Sequence, residues 1–157
     1  MVKLTKELIE TLRDSETVKT LTTTDEAGNP HTVFKDTMTA LDEESLAYIE
    51  LIETSHTYKN MLRNYWNKKS VSITLYNEKR GIFYQIKGKP YKWVIDEPLW
   101  DQFLDKVWSM LPDADPSGVW IIKPKEIIDQ SYEIRRMQEA DRSPNSLFWY
   151  RYLGPRS

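Results

Sequence analysis

The chain has 157 residues, which suits one domain spanning 1–157, and a domain near this size buries about 68–70% of the surface its unfolded chain exposes. It contains no cysteine, which excludes disulfides, thiolate metal sites and a cysteine nucleophile, and which fits a reduced cytoplasmic setting. Basic residues number 22 and acidic residues 24, so a formal net charge of −2 leaves no electrostatic footprint for duplex nucleic acid.

The N-terminal stretch MVKLTKELIETLRD alternates charged and apolar residues and lacks the continuous apolar core of a signal peptide. No run approaches a membrane span, so neither a membrane nor nucleic acid is an expected partner. Leu4, Leu8, Ile9 and Leu12 fall on one helical face, with Thr5 as N-cap and Asp14 near the end. VKTLTTT (residues 18–24) is rich in β-branched residues, as strands are. DEAGNP (25–30) is a turn cluster and HTVFK (31–35) returns as a strand, so the pair predicts a hairpin. SLAYIELI (45–52) predicts a third strand.

The helix predicted after Ser55 carries Tyr58, Met61, Leu62, Tyr65 and Trp66 on one face. SVSITLY (70–76) alternates Val71, Ile73 and Leu75 against polar residues, the pattern of a half-buried strand. NEKRG is a turn, IFYQIKG (82–88) a second alternating strand, and KPYKWVID continues extended, with a bulge or bend expected at Gly88. Asp96 is the expected cap of a helix with Pro98 in its first turn, which ends before Pro112. GVWIIKPKEI (118–127) predicts a late strand, edge-like because of Pro124. From Arg136 the chain is polar until SLFWYRYLGPRS. Hairpin-length connections argue against a parallel sheet and predict an α+β protein, a small antiparallel barrel with helices packed outside.

Six tryptophans and nine tyrosines supply core and interface packing or, alternatively, cover for a planar ligand. The chemistry concentrates at ETSHTYKNMLRN (53–64), where a strand turns into a helix. A helix's first turn leaves backbone N–H groups unpaired and carries partial positive charge, and a phosphate accepts those bonds. Ser55, His56 and Thr57 add donors and Lys59 adds a point charge. Thr54 or Ser55 as a plain N-cap explains the hydroxyls equally well, and Lys59 with Arg63 also fits a solvated face. Lys35, at the end of strand two, reaches the same mouth if strands two and three are neighbours. Two histidines, His31 and His56, exclude a histidine-rich metal site, and no catalytic triad is evident.

The run "VFK", the passage "ETSHTYKNML", then "KKSVSITLY" and "GIFYQIKG" together resemble the FMN-binding split barrels related to pyridoxamine 5′-phosphate oxidase, over residues 18–96. The resemblance implies a mostly antiparallel split β-barrel with flanking helices and FMN at the interface of a homodimer. It implies electron or hydride transfer to or from a small molecule, the alternative being a flavin or haem carrier without turnover. By position, Ser55, His56, Thr57 and Lys59 contact the phosphate, and Val33, Phe34 and Lys35 face the ring, where Lys35 supplies positive charge. Gln85 stands close to the family's ring-contacting glutamine but out of register. Trp149 and Arg151 match a C-terminal pair that reaches in from the partner subunit, or belong to a docking tail. Where the oxidase has an arginine and an Arg-Lys pair, this chain has Pro30, and His56 with Thr57, so pyridoxamine phosphate is not the expected substrate.

Overall fold

The structure, a computed structural model, describes residues 2–142. The elements run α1 (Lys6–Arg13), β1 (Val18–Thr24), β2 (Pro30–Phe34), β3 (Thr39–Asp42), β4 (Ser45–Glu50), α2 (His56–Trp66), β5 (Val71–Asn77), β6 (Ile82–Val94), α3 (Pro98–Met110), β7 (Gly118–Asp129) and α4 (Tyr132–Arg142). Every strand pairing is antiparallel, in one sheet of order β2-β1-β5-β6-β7-β4-β3. The α+β split barrel expected from the sequence is the architecture observed.

The sheet curls without closing. Its two edges, β2 and β3, are joined by residues 35–38, and polar contacts from that linker span the gap. The Ile49 N–H donates to Thr37 Oγ1 at 3.3 Å. Lys19, buried on β1, donates to the carbonyls of Leu12 (3.1 Å) and Met38 (2.8 Å), tying the end of α1 to the linker. Burial pushes its ammonium pKa below the usual lysine range.

Two apolar clusters hold these layers. Inside the barrel, Leu21, Ile73, Leu75, Ile86 and Trp120 meet Leu8 and Leu12 of α1 and Met61 of α2. Alternate residues of β5 point there, as a period-2 strand with one buried face requires. Outside, Phe103 and Val107 of α3 pack on Ala47, Ile49, Val94 and Val119. β4 is therefore buried along its whole length, barrel interior on one face and α3 on the other. Covering that outer face is the packing role of α3.

Several expectations are corrected. The third strand expected over 45–52 is the fourth and ends at Glu50, because the four residues of TALD form β3 and pair with it; a run this short, ending in Asp42, gives little periodic signal. β2 and β4 are not hydrogen-bonded neighbours. β7 lies between β6 and β4, so it is an interior strand. Pro124 is tolerated because the pairing with β4 runs only over Gly118 to Ile122, leaving β6 as its sole neighbour at that point. α3 starts from Glu97, whose side chain makes no capping bond. The polar stretch expected as tail begins inside α4, a helix with no buried residue and hence no apolar stripe to detect.

Gly88 sits at a register shift between β6 and β7, where an added Cβ meets Ile122 Cγ2 at 2.7 Å and the Lys123 carbonyl oxygen at 2.8 Å. The expected bend is there. Gly118 is tighter, with an added Cβ falling 2.4 Å from the Trp93 ring. Gly118→Ala is expected to destabilise the fold by about 1–3 kcal/mol by overpacking, measured as a lowered urea midpoint. An unchanged midpoint shows that Trp93 yields freely.

Candidate functional site

An open cleft of about 510 Å³ lies between β2, the end of β4 and the first turn of α2. That volume falls within the range of small-molecule sites. β2 contributes His31 and Val33, and Lys35, the first residue after the strand, continues their i, i+2, i+4 spacing. The β4 side contributes Ile49, Glu50 and the following Leu51 and Ile52, and α2 contributes Ser55, His56 and Thr57.

Ser55 is the N-cap of α2, with extended backbone, and its hydroxyl accepts from the Tyr58 N–H at 3.0 Å. The capping reading of this serine therefore holds. The amides of His56 and Thr57, at the first two helical positions, have no intrahelical carbonyl within reach. Their end of the helix adjoins the cleft, which gives the mouth partial positive character. His56 and His31 meet there, ring centroids 5.6 Å apart.

At the floor, Lys35 Nζ pairs with Glu50 Oε1 at 3.2 Å, their side chains only 14% and 2% exposed. The same ammonium lies 4.8 Å from the centroid of the Tyr48 ring. Burial, reinforced by the Glu50 carboxylate, pushes the Tyr48 hydroxyl well above the usual tyrosine range, so it stays neutral. Among the described residues, neither that hydroxyl nor Glu50 Oε2 finds a hydrogen-bond partner. The rim is apolar, with Phe34 74% and Ile52 61% exposed.

No protein-family model matches the sequence, and no curated protein matches it. Solved structures do. A protein of Lactobacillus delbrueckii described as a candidate pyridoxamine 5′-phosphate oxidase is 22% identical, with TM-score 0.61 over 82% of this chain and 99% of that one. An FMN-binding protein from Syntrophomonas wolfei is 13% identical, with TM-score 0.62 over 80% of this chain and 88% of that one. HutZ, the haem storage protein of Vibrio cholerae, is 17% identical, with TM-score 0.52 over 81% of this chain and 94% of that one. The chain has the split-barrel fold of pyridoxamine 5′-phosphate oxidase-like proteins.

Within this split barrel, Val33, Phe34, Lys35, Ser55, His56 and Thr57 all line one cleft. Lys59 lies one turn further along α2, on the exposed face and outside the cleft lining. Gln85 is elsewhere in the sheet, donating to Ser72 Oγ at 2.8 Å and accepting from Gln130 at 3.1 Å. Trp149 and Arg151 lie outside the described residues. Lys35 lines the cleft although β2, the strand before it, does not pair with β4. Its charge is not free, since Glu50 neutralises it.

Among the lining residues not named as site residues from sequence, His31 and Glu50 carry the chemistry. His31 was legible in the alternation His31-x-Val33-x-Lys35, which puts all three on one face. Glu50 was legible as the lone charge in the apolar run YIELI, because a carboxylate among strand core residues demands a partner. Among the described residues no group of three or more His, Asp or Glu side chains is arranged to hold a metal ion, and no helix is long and apolar enough to cross a membrane.

Proposed function

We propose that this split barrel binds FMN in the cleft between β2 and α2 and works as a flavin-dependent oxidoreductase on a small molecule. The supporting observation is one convergence. The free amides of α2's first turn, Ser55 and the His31–His56 pair meet the flat Val33–Lys35 face around a cleft of about 510 Å³. In this reading the helix end and the histidines hold the phosphate, and Val33, Phe34 and Ile49 border the ring. Lys35 and Glu50 set the charge beneath it. A bound flavin supplies the redox chemistry, and the protein supplies binding, orientation and electrostatics. Homodimer formation belongs to the same proposal, supported by the exposed Phe34 and Ile52, which a second subunit would cover along with the cleft. Cytoplasmic residence belongs to it as well, in keeping with a cysteine-free chain.

A second reading is a flavin or haem carrier without turnover. The likeness to HutZ favours it, as do two histidines at the cleft mouth, since imidazole is a common axial ligand of haem iron. The visible spectrum of the purified protein separates the two cofactors, and a nicotinamide oxidation assay on the yellow protein separates enzyme from carrier.

Titration of the flavin-free protein with FMN and with riboflavin tests the phosphate assignment. Ser55→Gly, which keeps most of the capping, and His56→Ala are each expected to weaken FMN about tenfold or more while changing riboflavin little, the size of a lost charge-assisted hydrogen bond. Equal losses for both ligands would place the phosphate elsewhere.

A further inference from the structure

We propose that a second cleft, where the end of α2 meets the bend in β6, binds a mononucleotide, its base against Trp66 and Tyr91 and its phosphate on Lys68 and Lys89. The cleft has a volume of about 420 Å³ and is lined by Tyr65, Trp66, Lys68, Lys89, Pro90 and Tyr91. It lies about 16 Å along α2 from Ser55, so it is separate from the first cleft. Among the described residues no carboxylate lines it, and none of Lys68, Lys89 and Lys123 makes an ion pair. Trp66 is 76% and Tyr91 56% exposed, so both present ring surface to solvent. Exposed rings beside unpaired cations are the parts from which base-and-phosphate sites are made, the ring stacking on the base and the ammonium taking the phosphate.

Two local choices at this cleft work against stability, and both add positive charge to it. The first is Lys68, which follows the C-cap Asn67 with φ of 55°, the left-handed conformation that usually falls to glycine. Its N–H bonds the Tyr65 carbonyl at 3.2 Å, and the Lys69 N–H bonds the Asn64 carbonyl at 2.8 Å, so the backbone closes the helix whatever the side chain. A lysine there strains the backbone without helping the helix to end. The second is Lys89, which stands directly opposite Lys123 in the β6–β7 ladder. Like charges in that relation repel. Lys123 Nζ bonds Ser45 Oγ at 2.7 Å and lies 5.0 Å from the centroid of the Tyr91 ring, which leaves its charge beside the proposed base platform. Strain and repulsion converging on one cleft are what a site for an anion explains.

Calorimetric titration of the flavin-free full chain with adenosine 5′-monophosphate, adenosine and oligothymidylate tests the proposal. The monophosphate is expected to bind at least tenfold more tightly than adenosine. Trp66→Ala and Lys89→Ala are each expected to weaken it at least tenfold. Lys68→Gly is expected to raise the melting temperature and yet weaken the monophosphate, a pair of opposite effects that a purely structural lysine would not give. The proposal is overturned by equal binding of adenosine and its monophosphate, by wild-type affinity in the three variants, or by binding of the oligonucleotide alone. Failure of the protein to take up FMN leaves it standing, since the titration requires no flavin.

Discussion

Lys35→Met is expected to lower the unfolding free energy by about 3–5 kcal/mol, the cost of stripping the partner from a buried charge. Glu50 is 2% exposed, and its Oε2 has no hydrogen-bond partner among the described residues, so the Lys35 ammonium at 3.2 Å is the main group balancing it. Met fills much of the lysine stem's volume, which isolates the electrostatic loss from a packing loss. The double variant Lys35→Met/Glu50→Gln is expected to recover most of the stability, because no unpaired charge then remains. Urea unfolding with an unchanged slope reads both values. A single-variant loss below about 1 kcal/mol would mean that the pair behaves as a solvated surface bridge. The pair also bears on the proposed cofactor: a free lysine would bring a full positive charge to the cleft, whereas this one arrives largely neutralised and held in place from behind.

Trp120→Ala is expected to cost about 3–5 kcal/mol, as large-to-small changes of buried aromatics do. At roughly 2–4 °C per kcal/mol for a chain of this size, the melting temperature falls by roughly 10 °C. Trp120 stands opposite Tyr48 on β4 and Trp93 on β6, and its ring lies 5.0 Å from Trp93 and 6.2 Å from Tyr65. Removing it takes the shared wall from three other rings. Trp120→Phe is expected to cost far less, because it keeps much of the ring and removes an indole N–H that is buried without a partner among the described residues. Equal losses for the two substitutions would show that the N–H, not the ring, carries the contribution.

Local chemistry was legible where it declares itself within a few residues. Thr5 and Ser55 cap the helices that the sequence assigns them to, and the alternation of Val71, Ile73 and Leu75 is the buried face of β5. Gly88 marks the bend it was expected to mark. Val33, Phe34, Lys35, Ser55, His56 and Thr57 were named from one segment and one strand, and they share a cleft. β3 and α4 escaped because a strand of four residues and a helix with no buried face carry no periodicity.

The sequence by itself determined every element except β3 and α4, their antiparallel character and the chemistry of the turn into α2, because caps, alternation and turn residues act over one to four positions. Only the tertiary structure decided that Lys35 meets Glu50, that His31 joins His56, and that Lys68 and Lys89 share a cleft with two exposed rings. Those groups lie far apart in the chain. What joins them is the curl of an open seven-stranded sheet, a sum of many small twists that no short stretch of sequence records.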